Sequence, residues 1–592
     1  MSSFEYTPLQ DLDRPQYVGN SGTVERSESL VDGNWEIRLL RVSPSKSQDA
    51  PISCDLLQTP LSTIKGVYDA LSYVWADSTG LSSLIYSVCC ISVCGFELTV
   101  TPNLYAALVR LRYEDRDRLL WIDQICINQA DIQERNVQVE RMTLIYGFAS
   151  KTVVWLGEEL EESYRGMHLA QSLAHLRIQY KADTDGLFAS VVAELSDISE
   201  WKALDLILQR SWWCRTWVVQ ECVVARSVIM LCGSREISFT DLTKAVLLIE
   251  ELKDHRVMSE CVSKVNTAPV SELLTSRTRT AQVRAEGELA WEPVFGFDGL
   301  SKVLSRYRTR HSTDPRDKVY ALLRISRDIR DAARVPACYI NPIRIDYSKS
   351  VEDIYYECAS FLLMATNRLD FLSACRTKRK LVDMPSWVPD WSDTTEAPFS
   401  ITDQDRHTAT GDDVFCSAYI QDRQLNALGI LFDRVMFLGA PCSEADLSQP
   451  YPSVTLCQWK ALALDQGHNE EDFMRTIIAD CFRSRRLSTY ALPSCWHLYQ
   501  IWDGHVVATG DVDNCETSIG TEIVLETLDF VHALRKASLG RRFCISERGV
   551  ACLAPEDTAE GDLLVGLLGA RVPYVIRATG TERYVLIGEW WV

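Results

Sequence analysis

Residues 119–157 carry the pattern that most constrains the fold, an apolar strand followed by a polar loop and an amphipathic helix. The segment reads LLWIDQICINQADIQERNVQVERMTLIYGFASKTVVWLG. In open α/β sheets, loops of this kind lie outside the carboxyl ends of the strands, where ligands bind. The pattern therefore places Asp123, Cys126 and Asn128 where recognition or chemistry is expected.

The same alternation of strands and helices extends over the first 250 residues. YDALSYVW is typical of a buried strand, and Thr101 with Pro102 predicts a helix start. Asp131 with Glu134 forms a capping-box pattern for the next helix. SWWCRTWVVQECVVA predicts a further helix before the strand VIMLCG. This order predicts an α/β fold with an open, mostly parallel sheet flanked by helices, followed by a helical region and a small β-rich C-terminal module.

A chain of 592 residues is too long for one hydrophobic core and is expected to form several domains. We expect a flexible tail at residues 1–30 and the α/β domain at 31–250. A linker or insertion is predicted at 251–310 and a mainly helical region at 311–400. Residues 401–592 are predicted to form a mixed region that ends in the β-rich module.

Composition and charge exclude several classes of partner. The net charge of −20 predicts that the chain does not bind nucleic acid. The longest uncharged stretch, Ser78–Phe96, alternates as a strand pair does, so no membrane span is expected. The N-terminus has no apolar signal segment, which predicts a cytoplasmic protein with its 20 cysteines as thiols. The scattered histidines and the lack of a C-x-x-C pair predict no metal site.

Five sequence words resemble the fungal heterokaryon incompatibility (HET) domain. They are, in order, YDALSYVWAD, TPNLYAALVRLR, LLWIDQICINQ, VVWLG and RSWWCRTWVVQE. DPRDKVYALL, PSWVPDWS, ERGVACLAP and YVLIGEWW resemble the longer chains of that family, so the likeness covers about residues 31–592. One departure is Ala76, where the family usually has glycine. The resemblance implies a role in fungal non-self recognition, a form of innate immunity, and in programmed cell death.

The HET domain is similar in layout to TIR domains, and two words of this chain support the comparison. YDALSY resembles the first strand of TIR domains, and Trp217 to Glu221 repeats their W-x-x-x-E spacing. In enzymatic TIR domains this glutamate serves cleavage of the nicotinamide glycosidic bond of NAD. The resemblance thus implies Glu221 as the catalytic carboxylate and Asp77, Asp123 and Asn128 as ligand-binding residues. No cofactor is expected to be required, and NAD is the candidate substrate.

The residues also allow structural interpretations that leave the question of enzyme activity open. A single glutamate on a tryptophan-rich helix is more often an ion-pair partner, here of Arg215 or Arg226, than a catalyst. Asp123 and Asn128 are residue types that form turns. The alternative function is a non-catalytic signalling or scaffold module that acts by binding proteins. Under either hypothesis the expected partners are other incompatibility or signalling proteins and further copies of this chain.

Overall fold

The chain folds as two compact units, which do not follow contiguous stretches of sequence. The computed structural model describes residues 5–9, 35–75, 89–160, 162–179, 198–253, 262, 264–286, 298–332, 343–394, 416–448, 452–482, 485–508, 529–580 and 582–591. The first unit comprises residues 1–299, 310–334 and 343–350, and the second comprises 300–309, 335–342 and 351–592. Because each unit joins separate segments, the contiguous domain bounds given above stay a prediction.

The elements are numbered along the whole chain. The α-helices are α1 Pro102–Leu111, α2 Asp123–Cys126, α3 Ile132–Phe148, α4 Ser163–Gln179, α5 Ile198–Leu208, α6 Trp217–Val223, α7 Phe239–Lys253, α8 Ala268–Glu286, α9 Leu300–Arg306, α10 Asp317–Leu323, α11 Arg327–Ala332, α12 Val351–Thr366, α13 Glu444–Leu447, α14 Val454–Asp465, α15 Glu470–Ile477 and α16 Leu492–Ala508. The described residues also include 3-10 helices at Leu61–Ile64, Ser211–Cys214 and Asp370–Ala374.

The strands of the first unit form one sheet. They are β1 Glu36–Val42, β2 Ser53–Pro60, β3 Asp69–Ser72, β4 Cys89–Val93, β5 Phe96–Val100, β6 Arg118–Trp121, β7 Lys151–Trp155, β8 Val228–Cys232 and β9 Arg235–Ser238. Their order in the sheet is β5-β4-β2-β1-β6-β3-β7-β8-β9. The four strands β6, β3, β7 and β8 pair in parallel, as do β2 and β4. The other pairings are antiparallel.

The sheet is therefore mixed, and the prediction of a mostly parallel sheet was wrong. The α/β class itself is confirmed. The physical reason lies in the connections, because strands joined by tight turns pair antiparallel whereas parallel neighbours need a crossover. Cys94 and Gly95, with φ of 50° and 83°, make such a turn between β4 and β5. Gly233, with φ of 52°, lies in the turn between β8 and β9.

The helix starts predicted at α1 and α3 are confirmed. The side chain of Thr101 accepts a hydrogen bond from the Leu104 backbone N–H, and Pro102 occupies the first turn. The side chain of Asp131 accepts from the backbone N–H groups of Gln133 and Glu134 at the start of α3. These caps place both helices at fixed points after β5 and β6, so the loops that follow the strands are short and defined.

Two predicted irregular segments contain ordered structure. Within the predicted flexible tail, residues 5–9 pack against the first unit, where Leu9 is 5% exposed. Within the predicted linker, helix α8 spans the 19 residues Ala268–Glu286. The weak apolar periodicity of this helix concealed it, since amphipathic spacing is the main sequence signal for a helix.

The second unit contains an antiparallel sheet, which confirms the predicted β-rich C-terminal region. Its strands are β12 Gly429–Leu438, β15 Arg541–Ser546, β16 Ala551–Pro555, β17 Leu563–Leu567, β18 Tyr574–Gly580 and β19 Arg583–Glu589, in the order β16-β15-β12-β17-β18-β19. Two small hairpins are formed by β10 Tyr419–Gln421 with β11 Gln424–Asn426 and by β13 Cys481–Phe482 with β14 Arg485–Arg486. The sheet encloses an apolar cluster that includes Val435, Leu564 and Trp590.

Candidate functional site

The candidate site lies at the point where the sheet of the first unit reverses its strand order. Strand β3 has β6 on one side and β7 on the other, and both pairs are parallel. After β3 the chain forms β4 and β5 at one edge of the sheet, returns to β6 on one side of β3, and then crosses to β7 on the other side. In open α/β sheets, ligands bind outside the carboxyl ends of the strands at such a switch point. Ser72 ends β3 and Asp123 follows β6, so both lie at this edge.

Glu221 is buried beneath this edge on helix α6. Its side chain is 2% exposed, and its Oε2 accepts a hydrogen bond from the hydroxyl of Ser72. The Ser72 oxygen in turn accepts from the indole N–H of Trp212 at 2.7 Å. The backbone carbonyl of Glu221 accepts from the Thr152 hydroxyl at 3.2 Å, which fixes α6 against β7. The hydroxyl of Ser72, which is 149 residues away in sequence, thus orients the carboxyl group, and the Trp212 indole in turn orients the hydroxyl.

The electrostatic environment holds the Glu221 carboxyl close to its titration point at neutral pH. Burial raises the pKa of Glu221 to about 7, since desolvation disfavours the charged form. Arg215 opposes this rise, and the charge of Asp123 adds to it. The Arg215 guanidinium donates a hydrogen bond to the carbonyl oxygen of Tyr73, which keeps the positive charge beside the end of β3.

Asp123 belongs to the same cluster, although its carboxylate is already engaged. The Trp75 indole N–H lies 3.1 and 3.0 Å from the two carboxylate oxygens, and the Gln124 backbone N–H donates at 2.7 Å. Burial raises the pKa of Asp123, while Arg215 lowers it. Asp123 and Glu221 therefore interact with one guanidinium, and the structure brings these two predicted residues together.

Asn128 has the contacts of a turn former. Its side-chain oxygen accepts from the Ala130 backbone N–H at 3.2 Å, and its own N–H donates to Glu134 at 2.7 Å. These bonds shape the loop that leads into α3. Asp77 and Ala76 lie outside the described residues. The assignment of ligand-binding roles to Asp77, Asp123 and Asn128 stays a prediction, as does catalysis by Glu221.

Sequence reasoning did not single out the residues that hold Glu221. Ser72 and Trp75 lie in the YDALSYVW segment, which was interpreted only as a strand. Arg215 was considered as an ion-pair partner, and its charge does act on Glu221, but the hydrogen-bond donor is Ser72. The signal that could have identified Ser72 is a polar residue at the end of an otherwise apolar central strand.

A second carboxyl group braces the start of α6. The Tyr347 hydroxyl donates to Asp317 at 2.6 Å, and the side chain of Trp217 is hydrogen-bonded to the same carboxyl. Burial raises the pKa of Asp317 to about 6. The guanidinium of Arg135 lies 3.9 Å from the centroid of the Tyr347 ring, a cation–π contact. The tryptophan and the glutamate of the W-x-x-x-E word are thus each held by a different polar group.

Two other kinds of site are absent from the part of the chain that the structure describes. In these ranges, no cluster of three or more histidine, cysteine, aspartate or glutamate side chains could hold a metal ion. Among the same residues, no helix combines the length and the apolar character that a bilayer crossing requires.

The architecture and the buried acidic site define an α/β domain, and comparison with known proteins shows which family this domain resembles. Residues 68–221 match the family described as Heterokaryon incompatibility protein (HET). The match begins just before β3 and ends at Glu221, so it frames the site. This segment of the chain is therefore similar to the HET family.

One curated relative extends the comparison beyond this domain. The chain is 25% identical over 422 residues to Heterokaryon incompatibility protein 6, OR allele, of Neurospora crassa. The alignment covers 62% of this chain and 59% of the relative. The chain thus spans less than two thirds of the length of the curated relative that it matches. No solved structure matches the chain at a significant level.

Proposed function

We propose that the chain acts in fungal non-self recognition and in the programmed cell death that follows, through hydrolysis of NAD by its TIR-like first unit. The family match and the name of the Neurospora crassa relative support the biological part of the proposal. The chemical part depends on the environment of Glu221. The proposed place of action is the cytoplasm, and the proposed partners are other incompatibility proteins and further copies of this chain.

The observation that carries the catalytic proposal is a buried carboxyl held by a neutral hydroxyl and a nearby guanidinium at the switch point of the sheet. Perturbed carboxyl groups in such positions are enriched at active sites. With a pKa of about 7, Glu221 is present in both protonation states near neutral pH. A group of this kind can accept a proton when it is ionised or donate one when it is protonated, without a large free-energy cost.

The proposed reaction is displacement at the anomeric carbon of the nicotinamide ribose. The C–N glycosidic bond breaks, and its electron pair stays on the pyridine nitrogen, so nicotinamide leaves as a neutral molecule. Water forms the new C–O bond and loses a proton to give ADP-ribose. Ionised Glu221 would stabilise the oxocarbenium character of the ribose and orient the attacking water, as carboxylates do in glycoside hydrolysis. Arg215 and Asp123 would position the substrate beside it.

The burial of Glu221 adds a condition to this mechanism. A side chain that is 2% exposed cannot contact a nucleotide until the residues around it move. In this proposal the residues around Glu221 move when several copies of the chain assemble. The isolated chain would stay closed and would not hydrolyse NAD. Catalysis would then depend on protein concentration as well as on substrate.

Nicotinamide release from NAD by the purified full chain tests the proposal. The wild-type chain is compared with Glu221→Gln, which keeps the size of the side chain and removes its charge. Glu236→Gln, on the exposed strand β9 with a side chain that is 65% exposed, is the matched control. The expected result under crowded conditions is release by the wild type and the control, with a loss of at least a hundredfold in Glu221→Gln. Equal release from all three, or none from any, would contradict the enzyme proposal.

A second candidate function, a non-catalytic signalling module, is favoured by one specific observation. One carboxyl oxygen of Glu221 has Ser72 as its donor, and both carboxyl oxygens of Asp123 lie within hydrogen-bond distance of Trp75. In this case Glu221 would stabilise the fold that partner proteins recognise. Cell-death signalling by Glu221→Gln at wild-type strength, with no nicotinamide released by either protein, would favour this module over the enzyme.

A further inference from the structure

The N-terminal segment Glu5–Leu9 is attached to the first unit like a bound peptide. Tyr6 donates its hydroxyl hydrogen to the Ile125 carbonyl at 3.0 Å. The Thr7 carbonyl accepts from Arg38 at 2.7 Å, and the Pro8 carbonyl accepts from Gln58 at 3.3 Å. Successive residues therefore contact β1, β2 and α2, three elements that are distant in sequence from the segment and from one another.

Tyr6 and Leu9 are the two anchors of this segment. Leu9 is 5% exposed, and the Arg38 guanidinium lies 4.9 Å from the centroid of the Tyr6 ring. Glu5, Thr7 and Pro8 are exposed. The segment therefore lies on the surface with two side chains inserted, as extended peptides bind in a groove. Pro8 fixes its own φ and favours an extended Thr7, which lowers the entropy lost on binding.

Arg38 connects this segment to the loop that carries the candidate site. Its guanidinium is buried, pairs with Glu134 at 3.0 Å through Nη2 and donates to the Cys126 carbonyl at 3.2 Å. Glu134 also accepts from the backbone N–H of Asn128 at 2.7 Å. Together with the Tyr6 bond to Ile125, these contacts fix residues 125–128. The N-terminal segment thus supplies one hydrogen-bond acceptor to the arginine that holds the loop following β6.

We propose that the first unit carries a peptide-binding groove for a Tyr-Thr-Pro-Leu segment and that occupancy of the groove fixes the loop at residues 123–128. In the chain described here the occupant is its own N-terminal segment. The groove is formed by Arg38, Gln58 and the backbone of Ile125 and Cys126. The named contacts join side chains to backbone carbonyls and a guanidinium to a ring, so the segment can leave without breaking a strand pairing of the sheet. This inference depends on the fold alone and stands whether or not the chain hydrolyses NAD.

Supply of the segment in trans tests the proposal. The full chain lacking residues 1–12 is mixed with a labelled peptide of sequence MSSFEYTPLQDL, and binding is followed by fluorescence anisotropy. We expect saturable binding to the shortened chain and at least tenfold weaker binding to the intact chain, whose groove is occupied. A peptide with Tyr6→Ala should bind the shortened chain at least tenfold more weakly than the natural peptide. Equal affinity of both peptides, or of both chains, would overturn the proposal.

Hydrogen exchange measures the effect on the loop. We expect the amides of residues 122–130 to exchange faster in the shortened chain and to regain protection when the peptide is added. Tyr6→Phe in the intact chain keeps the ring and removes the bond to Ile125, so it should raise exchange in this loop while leaving the fold intact. Unchanged exchange at residues 122–130 in Tyr6→Phe and in the shortened chain would overturn the link between groove and loop.

Discussion

The two units bury their carboxylates in different ways. In the second unit, Glu589 is 3% exposed and pairs directly with Arg541 at 2.6 Å. In the first unit, Glu221 is just as buried, but a serine hydroxyl is its hydrogen-bond donor, and its pKa is raised to about 7. A carboxylate neutralised by a salt bridge serves the fold, whereas one held by a neutral donor is available for a change of protonation state. The comparison therefore separates structural carboxylates from the candidate functional one.

The first unit contains both a salt-bridged glutamate and a glutamate held by a neutral donor, so the two can be compared within one fold. Glu134 and Arg38 form a fully buried salt bridge with both side chains 2% exposed. This pair lies in the same unit as Glu221 and shares its α/β scaffold. The difference between the two glutamates thus follows from their partners and not from burial.

The largest expected effect is the loss of a salt-bridged glutamate. Glu134→Ala leaves the buried Arg38, and Glu589→Ala the largely buried Arg541, without a carboxylate partner, which should cost about 3–5 kcal/mol of unfolding free energy. Urea denaturation followed by tryptophan fluorescence measures the loss. The control is Asp55→Ala, which breaks an exposed pair with Arg41 and should cost less than about 1 kcal/mol. Equal losses in the three variants would remove the distinction between buried and exposed pairs.

Glu221→Gln should raise the free energy of unfolding, whereas loss of a salt-bridged glutamate should lower it. Between the usual pKa of 4.5 and the native value of about 7, the native state binds more protons than the unfolded state, so stability falls as pH rises through this window. A neutral glutamine removes the penalty and should stabilise the chain by roughly 3 kcal/mol at pH 8 and far less at pH 5. Urea midpoints at the two pH values test this, with Glu236→Gln as the control. A destabilised Glu221→Gln at pH 8 would place Glu221 among the structural carboxylates.

Two glycines of the second unit test how far its stability depends on backbone conformation. Gly569 has φ of +92°, and an added Cβ would lie 2.4 Å from the Cβ of Cys416. Gly467 has φ of +86° with open space around it. We expect Gly467→Ala to cost about 1 kcal/mol and Gly569→Ala about 1–3 kcal/mol more, because the second change also overpacks the site. Thermal unfolding of the two variants gives the difference, and equal costs would show that the Cys416 contact relaxes freely.

The smallest effect is expected at the helix caps. Thr101→Ala in the first unit and Ser453→Ala in the second each remove a side chain that accepts from a backbone N–H at the start of a helix. Each should cost about 1 kcal/mol, because cap energies depend on local geometry and not on the surrounding unit. Urea denaturation measures both. A difference of several kcal/mol between them would show that one helix has a tertiary role that the cap alone does not explain.

Local features were predicted from the sequence more successfully than pairings between distant residues. The caps at Thr101 and Asp131 depend on neighbouring residues and were identified from the sequence. The tight β4–β5 turn was recognised as well, yet the antiparallel pairing of β1 with β6 was not, because no local signal specifies it. The α/β class was therefore predicted correctly, but the prediction of a mostly parallel sheet was wrong.

The site shows the same division. The W-x-x-x-E spacing pointed to Glu221, and strand-end position pointed to Asp123, and the structure places both beside Arg215. The strand-end position of Ser72 was a usable signal, but its bond to Glu221 could not be derived, because the two residues are 149 positions apart. Asp317, hydrogen-bonded to the Trp217 side chain, also lay far from the motif that it supports.

The brace between Asp317 and Trp217 bears on how this protein can be shortened for laboratory work. The match to the family stops at residue 221, whereas the carboxyl that secures the helix at that end comes from residue 317 and the tyrosine that orients it from residue 347. A recombinant fragment cut soon after the family match would keep every residue of the motif and lose its anchorage. Inactivity of such a fragment would therefore reflect the loss of the residues that secure the helix, and would not show that the domain lacks a catalytic group.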